Sequence, residues 1–278
     1  MTIAPRLFEL YRRRGFSLLS GLNPTYFDGH NNANFTWLIK NGESWTNGLG
    51  IALQEVYFLE TLFADFHPRR VLIIGNSFGW SALAIALANP GARVIAMDAG
   101  FDQNSLKGIE LTNELAADAG LKLRAVKGVS PQDVAFVARE FGGAVDFAFI
   151  DGLHNNEQVL LDWRAIHQVA APDAVFLFHD VYAWNLHDGI GRIRAESGLD
   201  VKMLMATPSG MALAYPAALE STLAPALSVF APPPEAIQVL ETAVARAKLV
   251  GRTLYRWRRS LRKRKDALNR RLGRSAPT

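Results

Sequence analysis

Short apolar segments alternate with amphipathic ones through the middle of the chain. Five segments rich in Val, Ile, Leu and Phe predict strands of a largely buried parallel sheet, at 71–74, 94–97, 121–126, 145–150 and 174–178. Apolar residues at helical spacing between and around them predict helices at 51–66, 105–119, 131–141, 157–169 and 189–197, with a further Ala/Leu-rich helix after residue 79. Two more strands, at 201–206 and 211–215, flank a Thr-Pro-Ser-Gly turn and predict an antiparallel hairpin.

Five strand–helix repeats followed by a hairpin predict the fold class. Alternating units of this kind form an α/β, doubly wound, mostly parallel sheet of seven strands with helices on both faces. The hairpin is expected to place an antiparallel strand at one edge. Ligands of such sheets bind at the carboxyl ends of the strands.

The segment 70–100 is the centre of the predicted sheet. Its first strand ends at Gly75, the chain turns through Gly79, and the second strand closes on Asp98. Glycines allow a ligand close to the backbone, and a carboxylate about 20 residues on can accept hydrogen bonds from ribose hydroxyls. The segment alone also fits an NAD site, or a strand–helix–strand unit that binds no ligand.

Polar side chains follow the other strands at the same predicted rim. Asp151 and His154 come after the fourth strand, and His179 and Asp180 directly after the fifth. Ionisable groups beside buried strands are costly unless they face the crevice where ligands bind. Their repetition favours a chemical site over a purely structural role.

Five motifs in order resemble the class I S-adenosylmethionine-dependent methyltransferases. They are VLIIGNSFGWSALAIA, VIAMD, VKGVSPQDV, FAFIDGLHNNEQVLLDW and AVFLFHDVY, and together they cover about residues 50–215. The closest resemblance is to small-molecule O-methyltransferases related to catechol and macrocin O-methyltransferases, with the signature IDG-x-H…HD. The resemblance implies a Rossmann-like fold, S-adenosylmethionine as cofactor and a hydroxyl on a small molecule, sugar or glycan as acceptor.

The resemblance also implies which residues contact the cofactor. Gly75, Asn76 and Gly79 would line its methionine part, and Ser81 would lie at the helix N-terminus that favours its carboxylate. The remaining contacts would be Asp98 to the ribose, Val129 and Ser130 to the adenine, and Asp151 beside the reacting end. The chain departs from the family at Ile73, where an acidic residue is usual, and at Ser77, which replaces a glycine.

Asp151, His179 and Asp180 match the positions that hold a divalent cation in the metal-dependent members. The ion would be Mg²⁺ or Mn²⁺, which carboxylate oxygens suit, whereas the imidazole of His179, at a position where an acid is usual, suits softer ions. The alternative is that these residues only shape the pocket. His154 takes the place of a catalytic lysine, so Asp151, His154 and Asp180 are the candidate catalytic residues, with His154 as the base.

Three regions are predicted: an N-terminal segment 1–49 that covers the active site, a methyltransferase domain 50–218, and a linker with a basic helical tail 219–278. Residues 246–274 contain thirteen Lys or Arg and one acidic residue, a net charge of +12 in a chain whose total is +4. The sequence pI of 9.4 therefore belongs to the tail. The tail is predicted to lie on an anionic membrane surface, to bind nucleic acid, or to pack on a partner subunit in a homo-oligomer or remain a solvated arm.

Other features narrow the function class. The chain has no cysteine and no apolar run of the length needed to span a bilayer, and its N-terminus has no export signal, so we expect a cytoplasmic protein that could contact the membrane peripherally. The amino-methylation motif Asn/Asp-Pro-Pro-aromatic does not follow the fourth strand, which argues against a nucleic-acid methyltransferase. A non-catalytic nucleotide-binding or scaffold protein with this fold is the alternative.

Overall fold

The computed structural model describes residues 2–21, 35–46, 48, 50–233, 235–239 and 242–243. They divide into two compact units, 1–231 and 232–278. Most of the second unit, including the basic segment 246–274 and most of the helix predicted over 235–272, lies outside the described residues. Within the described part of the chain, no helix is long and apolar enough to cross a membrane.

The first unit begins with a small N-terminal layer. Helix α1 (Ala4–Arg13) precedes a three-stranded antiparallel sheet of β1 (Ser17–Leu19), β2 (Trp37–Lys40) and β3 (Glu43–Ser44). Tyr11 on α1 is fully buried, and its hydroxyl donates a hydrogen bond to the carbonyl of Phe78, 2.7 Å away. This contact joins the N-terminal layer to the glycine turn of the main sheet.

The main sheet contains seven strands flanked by helices, as the sequence predicts. In chain order the elements are α2 (Leu53–Asp65), β4 (Arg70–Ile74), α3 (Trp80–Ala88), β5 (Arg93–Asp98), α4 (Gln103–Asp118), β6 (Leu123–Lys127), α5 (Val134–Ala138), β7 (Val145–Ile150), α6 (Asn156–His167), β8 (Ala170–Phe178), α7 (His187–Ser197), β9 (Asp200–Leu204), β10 (Met211–Tyr215) and α8 (Glu220–Phe230). The spatial order is β6-β5-β4-β7-β8-β10-β9. The strand order runs outward in opposite directions from β4 and from β7, which are parallel neighbours. Doubly wound sheets bind their ligands at this switch point.

The prediction of an antiparallel edge strand is wrong in one respect. β10 is antiparallel to both of its neighbours, but it lies between β8 and β9, so β9 forms the edge. The burial pattern explains this order, because every residue of β10 is buried whereas Asp200 and Lys202 on β9 are not. The apolar strand of the hairpin therefore takes the interior position.

The boundary with the tail also differs from the sequence prediction, which ended the domain at residue 218. Helix α8 buries Leu223, Leu227 and Phe230, and the Phe230 ring lies 5.1 Å from that of Phe58 on α2 in an edge-to-face contact. Apolar burial of this kind holds α8 on the main unit, which extends to Ala231.

Candidate active site

A cavity of about 840 Å³ opens at the carboxyl ends of β4, β5, β7 and β8, a volume that suits a small-molecule or cofactor site. The residues that follow these strands line it, and so does the turn 128–132 after β6. Phe35, Thr46 and Gly48 from the N-terminal segment contribute to the same wall. The strand ends that the sequence placed at one rim therefore meet at one cavity.

The glycine turn is shaped by contacts with the protein itself. Gly75 has φ +93°, and a Cβ added there would lie 2.0 Å from the carbonyl oxygen of Asp151. Gly79 has φ +80°, and its Cβ would lie 2.2 Å from Oγ1 of Thr112 on α4. Among the described residues predicted to hold the cofactor, Gly79 alone does not line the cavity, because it faces α4 instead.

The carboxylate of Asp98 holds the backbone of the glycine turn by hydrogen bonds. Its Oδ2 accepts hydrogen bonds from the backbone N–H groups of Asn76 and Ser77, both at 3.0 Å, and its Oδ1 accepts one from Gly100 at 3.0 Å. Both Asp98 and Asn76 line the cavity. The buried Oδ1 of Asn76 has no hydrogen-bond partner within the described residues. Asn76 therefore carries a buried acceptor that none of the described residues satisfies.

Ser81 lines the same part of the cavity near the start of α3. Ser81 is 7% exposed and is the second residue of α3, whose N-cap is Gly79. Backbone N–H groups at a helix N-terminus favour an anionic group. A contact of Ser81 with the cofactor carboxylate stays a prediction.

Val129 and Ser130 line the cavity. Two polar residues beside them, Gln158 and Asp162, were not predicted from the sequence. Ser130 Oγ donates to Oδ1 of Asp162 at 2.5 Å, and Gln158 Nε2 donates to the same oxygen at 2.7 Å. Burial raises the pKa of Asp162 and outweighs these two hydrogen bonds, which act in the opposite direction. The sequence feature that could have indicated Asp162 is its place as an acidic residue on the apolar face of α6, beside Val159 and Ile166.

Four ionisable side chains meet at the ends of β7 and β8. Oδ1 of Asp151 lies 3.2 Å from His154 Nε2 and 3.1 Å from His179 Nδ1. Asp180 completes the cluster, with Oδ1 at 3.4 Å from His179 Nδ1 and Oδ2 at 3.4 Å from His154 Nε2. One ligand atom from each of the four residues lies within 4.8 Å of the others, a separation that a single metal ion can bridge. We refer to these residues as the acid–imidazole cluster.

The electrostatics of the cluster favour its charged forms. Burial opposes ionisation of Asp151, but the charge of His179 and the close polar contacts of both histidines outweigh it, so the pKa of Asp151 is lowered. Burial also opposes protonation of His179, and the charges of Asp151 and Glu55 overcome it, so the pKa of His179 is raised well above its ordinary value. Perturbed groups in a cleft mark candidate functional sites.

Glu55 is the main residue of this region that the sequence analysis did not single out. It is 0% exposed on α2, and its Oε2 lies 3.1 Å from His179 Nε2. Burial works against its ionisation, but His179 and hydrogen bonds from Ser209 and Ala52 prevail and lower its pKa. An acidic residue on a helix face shared with Phe58, Leu59 and Leu62 was the signal.

The mouth of the cavity on this side is apolar. Trp184 stacks on His154, with ring centroids 5.6 Å apart and an interplanar angle of 23°. Trp184, Phe101 and Leu153 all line the cavity and are 60%, 86% and 67% exposed. Exposed apolar groups that rim a polar cleft fit a ligand with an apolar part.

Comparison with known proteins identifies the domain. Residues 72–181 match the family model described as "Methyltransferase domain", which covers less than half of the chain. The match spans the glycine turn, Asp98 and the whole acid–imidazole cluster. It confirms the predicted resemblance to class I S-adenosylmethionine-dependent methyltransferases, and the seven-stranded sheet is the Rossmann-like fold expected of them. A search of curated proteins gave no match.

Solved structures with similar folds include several methyltransferases. The O-methyltransferase TomG from Streptomyces achromogenes, involved in tomaymycin synthesis and solved in complex with SAM, is 18% identical with a TM-score of 0.50, over 61% of this chain and 82% of TomG. An O-methyltransferase from Bacillus cereus in complex with SAH is 15% identical with a TM-score of 0.49, over 76% of this chain and 89% of that one. At these identities the likeness to TomG concerns the fold.

Proposed function

We propose that this protein is an S-adenosylmethionine-dependent O-methyltransferase that acts on a hydroxyl of a small molecule, sugar or glycan. The observation that carries the proposal is that one cavity joins a nucleotide-type half to a proton-transfer half. Asp98 and the glycine turn form the first half, and the acid–imidazole cluster forms the second. Methyl transfer to a hydroxyl needs both, because the acceptor must be held in line and must lose its proton.

The cofactor half fits S-adenosylmethionine, which supplies an electrophilic methyl group on its sulfonium. The unpartnered Oδ1 of Asn76, within the described part of the chain, suits the ammonium of an amino acid moiety. Asp98 suits the ribose hydroxyls, and Ser130 with Asp162 offers polar groups at the adenine end. The cofactor-bound state of TomG, a fold neighbour, agrees with this assignment.

His154 is the proposed base. Its Nε2 lies 3.2 Å from Asp151 Oδ1, so a proton on Nε2 is held by the carboxylate and Nδ1 is left basic. Asp151 thereby fixes the tautomer and stabilises the imidazolium that forms when the acceptor hydroxyl gives up its proton. Trp184 restrains the imidazole ring from one face.

Asp151, His179 and Asp180 fit a divalent cation. The buried Nδ1 of His179 has no hydrogen-bond partner among the described residues, although Asp151 Oδ1 is 3.1 Å away. A nitrogen that faces carboxylate oxygens without an aligned hydrogen bond is the arrangement expected of a ligand set. A bound cation would orient the acceptor hydroxyl and lower its pKa.

Isothermal titration calorimetry with S-adenosylmethionine and S-adenosylhomocysteine tests the proposal. We expect both to bind, and Asp98→Asn to bind more weakly than the wild type while Asp65→Asn, an exposed carboxylate on α2, binds normally. A wild type that binds neither compound would contradict the proposal. Binding without methyl transfer to any of a panel of catechols, sugars and other hydroxyl acceptors would favour the non-catalytic alternative.

A further inference from the structure

Glu55 is a buried carboxylate whose hydrogen-bond partners lie on three separate parts of the fold. Its Oε2 accepts from the backbone N–H of Ala52 at 2.8 Å, and its Oε1 accepts from both the N–H, at 3.1 Å, and the hydroxyl of Ser209 in the hairpin turn. Its remaining contact is with His179 Nε2, at 3.1 Å. Because two backbone N–H groups already donate to its oxygens, Glu55 acts here as an acceptor and Nε2 as the donor.

This contact determines which nitrogen of His179 is available. When Nε2 of a neutral imidazole carries the proton, Nδ1 holds the lone pair. Nδ1 points toward the acid–imidazole cluster, at 3.1 Å from Asp151 Oδ1 and 3.4 Å from Asp180 Oδ1. His179 is 4% exposed, and Nδ1 makes no aligned hydrogen bond within the described residues.

A lone pair that faces two carboxylate oxygens is repulsive, so either a proton on Nδ1 or a metal ion that replaces this proton must lie between them. The region contains three carboxylates, Glu55, Asp151 and Asp180, so even a charged His179 leaves an excess of negative charge. The groups that face this point are Nδ1 of His179 and the carboxylate oxygens of Asp151 and Asp180. The donor set is therefore mixed nitrogen and oxygen.

We propose that Glu55 is the positioning carboxylate of a metal centre in which His179 ligates through Nδ1 beside Asp151 and Asp180. The inference rests on the proposed function of this cavity and adds the residue that orients the histidine. Carboxylates that accept the second N–H of a ligating histidine fix its tautomer and ring orientation. Since the set includes imidazole nitrogen, the centre favours first-row transition ions such as Mn²⁺ or Co²⁺ over Mg²⁺.

Metal titrations of the full-length chain, stripped with EDTA and desalted, test this inference. Free Mn²⁺ followed by electron paramagnetic resonance gives the affinity, and the visible spectrum of Co²⁺ reports nitrogen ligation. In Glu55→Gln the amide can donate to Nε2, which would move the proton to Nδ1 and block ligation. We expect its Mn²⁺ affinity to fall by about 10- to 100-fold. Glu60→Gln, on the same helix, is the matched control and should bind as the wild type does.

A second measurement does not depend on a folded variant. In the wild type loaded with diamagnetic Zn²⁺, ¹⁵N NMR of the imidazole rings, with His179 assigned through His179→Asn, should show a protonated Nε2 and an Nδ1 that carries no proton. A His179 that stays doubly protonated after the metal is added, equal Mn²⁺ affinity in Glu55→Gln and wild type, or Mg²⁺ binding as tight as Mn²⁺ binding would overturn the inference. S-adenosylhomocysteine titrated into the same samples separates the two proposals, because failed metal binding with intact nucleotide binding refutes this inference alone.

Discussion

The two halves of the cavity are built by different means. On the side of β4 and β5, backbone geometry forms the site: Gly75 adopts a positive φ against the Asp151 carbonyl, and three N–H groups are held by Asp98. On the side of β7 and β8, side chains form it, and each ionisable group contacts another. Single side-chain changes should therefore alter the chemistry of the second half while leaving the first intact.

Removal of the proposed base should have the largest effect. We expect His154→Ala to lower the rate of methyl transfer by about 10²- to 10⁴-fold, because no base then removes the proton from the substrate hydroxyl. Calorimetry should give an unchanged affinity for S-adenosylhomocysteine, because the proposed nucleotide contacts belong to the other half. His67→Ala, an exposed histidine just before β4, serves as the control. Unchanged turnover in His154→Ala would refute its role.

A methyl group at the junction should damage both halves. In Gly75→Ala the new Cβ would lie 2.0 Å from the Asp151 carbonyl at a φ of +93°, so we expect the free energy of unfolding to fall by about 3 kcal/mol, with loss of nucleotide binding. Gly142→Ala is the matched control, since its φ is +66° and its Cβ would meet nothing within 4 Å. It should cost about 1 kcal/mol. Equal losses in urea denaturation would show that the contact with Asp151 is unimportant.

The aromatic mouth should contribute less. Trp184 is 60% exposed, so we expect Trp184→Ala to reduce stability by only about 0.5 kcal/mol through its stack on His154. The KM of Trp184→Ala for the methyl acceptor should rise. The KM of Trp184→Phe, which keeps an aromatic face, should stay close to that of the wild type. If nucleotide affinity changed as much as KM did, the proposed division of the cavity would be wrong.

The smallest effect should depend on pH. Burial raises the pKa of Asp162 in the folded state above its ordinary value of 3.8. As the pH rises from 3.8 through this raised pKa, the unfolded state ionises first, and the folded state is destabilised relative to it. Asp162→Asn should therefore have a higher Tm than the wild type near neutral pH, and the two should converge below pH 3.8. Thermal unfolding followed by circular dichroism checks this. A constant difference at every pH would contradict the assignment.

The sequence predicted what depends on local pattern and chain order. Alternating strand and helix segments led to the seven-stranded sheet, and polar residues after Ile150 and Phe178 led to the cavity. Glu55 was missed because its partners His179 and Ser209 are 124 and 154 residues away along the chain. Helical periodicity indicates that a position is buried and does not show which distant group it contacts.

Gly79 illustrates the same limit from the other direction. Its place in the glycine turn predicted a contact with the cofactor, and a glycine is indeed required there, but it is required by Thr112 on α4. Helix packing against the turn cannot be distinguished from ligand approach in a single sequence, because both demand the absence of a Cβ. The position of β10 inside the sheet had a readable signal, since Met211–Tyr215 is apolar except for its terminal hydroxyl.

A crystal structure of the full chain with S-adenosylhomocysteine tests the division of the cavity most directly. The account predicts that the ribose lies beside Asp98, the adenine beside Ser130, and the sulfur directed toward Asp151 and His154. The amino acid moiety would then reach the unpartnered Asn76 Oδ1. Nucleotide bound elsewhere, or with its sulfur directed away from the acid–imidazole cluster, would contradict it.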